Sequence, residues 1–388
     1  MTPYKTVGSG TYGFVVTPGI NACDACDLKE VSGVEQSGPS TRSKQVSKLF
    51  FDKSDALLER LHAALVHHII DPCGYFTPNL INHGRIDVEK ARGIVENAHM
   101  VGGKKRKPIR KEWLDEYDDS IPFITYGHGG ETLADFFKRK QRVLCFEDLL
   151  PGFMNILKGL KNMHQTGYTH SDIKPLNMVT DQGDMRRKRK NTKMMLIDFG
   201  SLARHDNFKM ELDSDTLDHC YPYYPPEFIL LSFMQKGYCI DKHAFQQRIN
   251  EQYNDDWIKP REIDELFMKY TSLVELMMRE NKDYGAHDDV DRVSNTYDHF
   301  PILMKSGEKK NKNTEYPPYL DTFAFGISVR QIYHDAIESG RVRDISWCDK
   351  KVLPIFDAMC SPHLERRITI DQAIEAFEAF EEFEEFEA

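Results

Sequence analysis

Two short segments constrain this chain more than anything else in it: HSDIKPLN at residues 170–177 and IDFG at 197–200. The first runs into MVT and the second follows MML, apolar runs that read as short strands, so two acid-bearing turns are separated by a β-hairpin. Asp172, Asp198 and Asn177, which stands five residues after the first acid, offer carboxylate and amide oxygens. That donor set suits a site holding magnesium against phosphates, because magnesium prefers oxygen ligands and keeps several waters, so few protein ligands are needed. The plain alternative is a pair of polar surface turns.

The rest of the 388 residues supply a globular body: 40% are hydrophobic and 29% charged, which excludes disordered and fibrous classes. The length predicts two lobes or domains plus insertions. Uninterrupted apolar stretches are no longer than Phe228 to Leu231, so no membrane span is expected. The opening MTPYKTVGSG has neither the basic nor the apolar region of a secretory signal, which predicts a reducing compartment with the eight cysteines as thiols. Cys23 and Cys26 form a CxxC without an evident second pair, which argues against zinc. A formal charge of −10 argues against a nucleic-acid binder. The basic runs KKRKPIRK (104–111) and RRKRK (186–190) read first as solvated loops; acidic-peptide docking, nuclear targeting and nucleic-acid contact are the other readings.

Periodicity places strand, tight loop and strand over 4–17, an extended loop from Pro18 to about Ser43, and a third strand at 45–51. A helix is predicted over Ser54–Ile70, capped by Ser54 or Asp55, with Leu57, Leu58, Leu61, Leu65 and Ile69 as its apolar face. The pattern weakens between His83 and Ser120, read as a surface insertion, before a strand at 121–127. A long buried helix follows over Glu147–Thr166. A helix starting at Pro260 carries Ile263, Leu266, Phe267, Tyr270, Leu273, Val274 and Met277 on one face. At the other end, Phe377, Phe380, Phe383 and Phe386 recur among glutamates, as in a terminal helix packing on the larger part of the molecule.

The glycine segment GSGTYGFV sets Gly8, Gly10 and Gly13 between two strands, where missing Cβ atoms let backbone amides approach phosphates. A structural hairpin explains the glycines equally well, and a strand after the third glycine argues against a dinucleotide fold, where a helix would start. Taken in order along the chain, GSGTYGFV, VSKLF, HSDIKPLN and IDFG resemble the protein kinase superfamily. The resemblance covers nearly the whole chain. It implies an α+β, bilobal protein kinase-like fold: a small β-rich N-lobe over 1–126 that binds ATP, with insertions near 18–43 and 84–120, and a larger, mostly helical catalytic C-lobe over 127–388 with an insertion near 228–316.

By the same resemblance Asp172 accepts the proton of the attacking hydroxyl, and Asn177 and Asp198 bind Mg2+. Lys48 holds the α- and β-phosphates of ATP, oriented by Glu59 on the following helix. Val7, Gly8, Ser9, Gly10, Gly13 and Val15 cover the nucleotide. Thr125 to Gly127 meet adenine, behind Ile124. Lys174 resembles the lysine of serine/threonine kinases, so protein serine and threonine hydroxyls are the implied substrates. A pseudokinase scaffold and a small-molecule phosphotransferase on a related fold are the alternatives. Asp321 in DTFAFG marks the central helix, and Glu227 in YYPPEF is expected to pair with Arg367.

The chain departs from the family at several points. Ser171 stands where an arginine reads a phosphorylated activation segment, which implies activity without that phosphorylation. Cys220 replaces a threonine tied to hydroxyl specificity. PPE in place of APE, the insertion near 228–316 and the loop after Gly13 resemble kinases of large nucleocytoplasmic DNA viruses. That implies an intracellular site, host cytoplasm or virion, with nuclear entry tied to the basic runs. A monomer is the default.

Overall fold

The computed structural model describes residues 5–9, 13–20, 25–30, 45–97, 99–100, 114–115, 117, 119–138, 144–181, 193–207, 222–226, 242–253, 258, 261–268 and 317–387. Two compact units emerge: Met1–Glu131 with 179–183 and 193–200, and Thr132–Met178 with 184–192 and 201–388. A single cut at 126/127 therefore misses that the segment ending in Asp198 belongs to the first unit. The two basic runs, Gly10, Cys23, Cys220, Glu227 and most of 228–316 lie outside the described residues.

The first unit is a seven-stranded sheet: β1 (Lys5–Ser9), β2 (Gly13–Thr17), β3 (Ala25–Glu30), β4 (Gln45–Phe50), β5 (Leu80–Asp87), β6 (His99–Met100) and β7 (Ser120–Gly127), in the order β3-β5-β7-β4-β2-β1-β6. Its pairs are antiparallel except β1 with β6. Alternation along β4 sends successive residues to opposite faces. Leu49, opposite Phe123, joins Phe14, Val16 and Ile121 on one face. Phe50 faces the other way with Leu80 and Ile124.

Each face carries a helix. α1 (Lys53–Leu65), continued by a wider turn over Val66–Ile70, buries Ala56, Glu59 and Ala63 against the Phe50 face. α2 (Val88–Asn97) buries Ala91, Ile94 and Val95 against the Leu49 face. Four expectations change here. Residues 25–30 of the supposed loop form β3, because the β5 edge offers a ladder of partners from Ala25↔Ile86 to Glu30↔Asn82. The supposed surface insertion after His83 supplies the end of β5 and a core helix. Along α1 and the turn that continues it, the expected apolar face is not the inner one: Leu57, Leu58, Leu61 and Ile69 are about half exposed, while small residues let the helix lie close to the sheet. Its cap is also Asp52, which accepts from the Ser54 amide at 2.6 Å and the Asp55 amide at 3.3 Å.

The second unit is mainly helical. Helix Leu150–Gln165 buries Phe153, Ile156, Leu157, Leu160 and Met163, as its spacing predicts. Phe153 meets Phe325 of helix Pro317–Glu338 at 6.1 Å and Phe356 of helix Leu353–Met359 at 5.9 Å. Phe377 of helix Ile370–Glu387 closes on Phe356 at 5.3 Å. The helix Lys242–Tyr253 and the helical residues 261–268 pack Phe245, Ile249, Ile263 and Leu266 against Phe323 and Cys360. The described part of the long insertion is thus docked on the unit's central helix.

Candidate active site

In the first unit, three charged side chains from three elements form one cluster. Lys48 of β4 donates to Glu59 Oε2 of α1 at 2.5 Å and to Asp198 Oδ1 at 3.2 Å. Burial pulls the Lys48 ammonium toward neutrality, but Glu59 and Asp198 outweigh it and leave its pKa above the ordinary value. Burial pushes the Glu59 carboxyl up, with Lys48 opposing. The Tyr126 hydroxyl donates to Glu59 Oε1 at 3.3 Å, and burial beside that carboxylate raises the Tyr126 pKa well above 10.0.

Asp198 sits in the left-handed region at φ 66, a conformation costing about 1–2 kcal/mol for a residue with a side chain and tolerated best by Asn and Asp. The strand Lys193–Leu196 delivers it, tied to the loop after α1 by the Leu196 amide on Phe76 O at 2.7 Å. On the next residue, the Phe199 carbonyl accepts from His62 Nδ1 at 2.8 Å.

The glycines have separate reasons. A Cβ on Gly13 would run into the Leu49 carbonyl of β4, so that position is fixed by strand packing. Gly8 follows a register shift in the β1–β2 ladder and lies opposite Val15, with Val7 at the shift and Ser9 opposite Phe14. Val15 in turn lies opposite Lys48. The expected adenine edge is altered. The Gly127 amide donates to Asn79 O at 2.8 Å, and the buried Thr125 hydroxyl is 2.6 Å from Ser47 Oγ. Past the strand's end, a Cβ on Gly129 would meet Val179 at 2.5 Å, so the chain crosses the hairpin closely there.

In the second unit, the loop 170–177 is folded onto its own aspartate. Lys174 Nζ donates to Asp172 Oδ1 and Oδ2 at 2.9 and 2.8 Å. Asn177 Nδ2 donates to the Asp172 carbonyl and Oδ2, both at 2.9 Å, which leaves the amide oxygen of Asn177 directed elsewhere. Fully buried Asp321 anchors the loop: it accepts from the His170 and Ser171 amides at 2.8 and 2.9 Å and bonds His164 Nε2 at 3.0 Å. Ser171 is held at φ 65. His205 Nε2 lies 2.9 Å from Thr169 Oγ1 on the strand entering the loop. Arg367, whose expected partner Glu227 is outside the described residues, donates to Ser361 O at 3.1 Å and lies 4.8 Å over the Phe323 ring.

Within the first unit the donors fit a magnesium nucleotide: Asp198 contributes hard oxygen atoms, and Lys48 contributes a cation whose charge two carboxylates maintain. His62, Tyr126, His164 and His205 were not anticipated from sequence. The spacing of Glu59 and His62, three apart on one helix face, is the signal that could have found the first.

The protein kinase domain family matches residues 111–376, and the chain belongs to it. The match takes in Asp172, Asn177 and Asp198; the glycine strands, Lys48 and Glu59 precede it. The chain is also 25% identical over 171 residues to the probable serine/threonine-protein kinase iksA of Dictyostelium discoideum, a match covering 38% of this chain and 15% of that protein. No described helix is long and apolar enough to cross a membrane.

Proposed function

We propose that this protein kinase transfers the γ-phosphoryl group of ATP to serine or threonine hydroxyls of proteins. The observation carrying the reading is the Lys48 ammonium shared between Glu59 and Asp198, a cation kept charged and aimed by two elements distant in sequence. Bound ATP with magnesium would supply the transferable group and the positive charge that offsets its oxygens. Lys48 has three N–H donors, two of them used on carboxylates, and the third would serve the phosphate oxygens of bound ATP. Glu59 fixes its direction. Asp198 of the first unit would hold magnesium, and the family resemblance assigns the same role to Asn177 of the second. Gly8, Ser9, Gly10 and Gly13 would line the phosphates, with Val7 and Val15 beside them, and adenine would meet the backbone at the end of β7.

Asp172 accepts the proton of the incoming hydroxyl. Lys174 and Asn177 hold its carboxylate in place, so the chemistry is positioning and charge stabilisation. Lys174 and the similarity to iksA support serine/threonine specificity. The PPE triplet and the 228–316 insertion support a viral origin. Incubation with Mg-ATP and a panel of generic protein substrates tests the reading. Phosphoserine or phosphothreonine is expected from the natural chain and not from Asp172→Asn or Asp198→Asn. Label from Asp198→Asn equal to the natural chain overturns it, and phosphotyrosine overturns the hydroxyl assignment.

A further inference from the structure

We infer that His62 is a positioning residue that holds the turn at 198–200 from α1, acting on the residue next to Asp198. The inference rests on the reading of Asp198 as a functional carboxylate, and its geometry lies wholly in the first unit. Asp198 gains from restraint, because its φ of 66 costs about 1–2 kcal/mol for a residue with a side chain, even though Asp tolerates it better than most. One restraint reaches its side chain: Lys48 Nζ on Oδ1, itself held by Glu59. The other reaches the backbone one residue on, where His62 Nδ1 meets the Phe199 carbonyl at 2.8 Å.

A carbonyl only accepts, so His62 Nδ1 carries the hydrogen, whatever the state of Nε2. Glu59 and His62 are three apart and so share a helix face. A displacement of α1 therefore loosens both restraints together, and an intact α1 sets both. Ala63, one residue further on, packs against the sheet with Phe50, which fixes the height of the helix from which both links extend. The outer leucines of α1 take no part.

Three variants of the full chain test this: His62→Ala, His62→Asn, whose side-chain amide places an N–H where Nδ1 stood, and Leu61→Ala as a half-exposed control. Amide hydrogen exchange without nucleotide reads the turn directly. At 198–200, exchange is expected to speed about fivefold in His62→Ala and to stay within about twofold of the natural chain in His62→Asn and Leu61→Ala. The turnover number is expected to fall about fivefold in His62→Ala and to recover in His62→Asn. That order is opposite to helix propensity, where alanine is the better former. Unchanged exchange at 198–200 in His62→Ala, or equal disturbance by Ala and Asn, overturns the inference. Absence of phosphoryl transfer by the natural chain would instead count against the kinase reading, and the exchange comparison would still decide the role of His62.

Discussion

The Lys48 cluster and the Asp172 loop carry similar charges but are built by different means. In the first, a cation and two carboxylates from three elements hold one another, and side-chain electrostatics set the geometry. In the second, buried Asp321 fixes backbone amides, and the charged groups are then arranged within eight consecutive residues, 170–177. The first arrangement is sensitive to any change of charge or pH. The second depends on one buried acceptor, Asp321.

Asp172→Asn sharpens this contrast most strongly. Phosphoryl transfer is expected to fall by about 10²–10⁴-fold, the usual worth of a general base, with the thermal midpoint little changed. A large loss of stability would show that the loop relies on its carboxylate after all. Lys48→Met is the opposite case, because it strands Glu59 in a buried site. Urea unfolding is expected to register a loss of about 3–5 kcal/mol at neutral pH, and Glu59→Gln in the same background should recover part of it. Equal losses from the two single variants and no recovery would contradict the coupling.

The pH response separates the regions further. Lys48 has a folded pKa above 10.5, so its contribution is whole below pH 10.5 and is lost as pH rises through the folded value. Unfolding followed from pH 9 upward should decline in both chains, because buried Tyr126 also loses its neutral form's advantage there, but more steeply in the natural chain than in Lys48→Met; parallel curves would break the assignment. The smallest effects belong to the outer face of α1 and to Ser171. Leu61→Gln is expected to change stability by no more than about 0.5 kcal/mol. Phosphatase treatment is expected to leave turnover unchanged, since Ser171 carries no cation to read a phosphate; loss of turnover would reject that.

The site was more legible in the sequence than its scaffold. Asp172, Lys174 and Asn177 lie within a few residues of one another, so local order announces them. Lys48 and Glu59 were readable through the family resemblance, which asks for a lysine on a strand and a glutamate on the helix that follows. What stayed hidden depends on partners distant in sequence. The residues of β3 carry no strong strand pattern, and only the β5 edge makes them a strand. In α1, hydrophobicity pointed to the leucines, whereas close approach to the sheet selects Ala56 and Ala63. Gly13 reads as a phosphate-binding glycine, yet its sharpest constraint is the Leu49 carbonyl. The bond from His62 to Phe199 spans 137 residues and leaves no local trace.

The most direct test of the central claim is ADP affinity measured with and without Mg2+ in the natural chain, Asp198→Asn and Asp172→Asn. Asp198 as a metal ligand predicts that magnesium tightens ADP in the natural chain and in Asp172→Asn, and that this gain disappears in Asp198→Asn. An undiminished magnesium effect in Asp198→Asn would contradict the account.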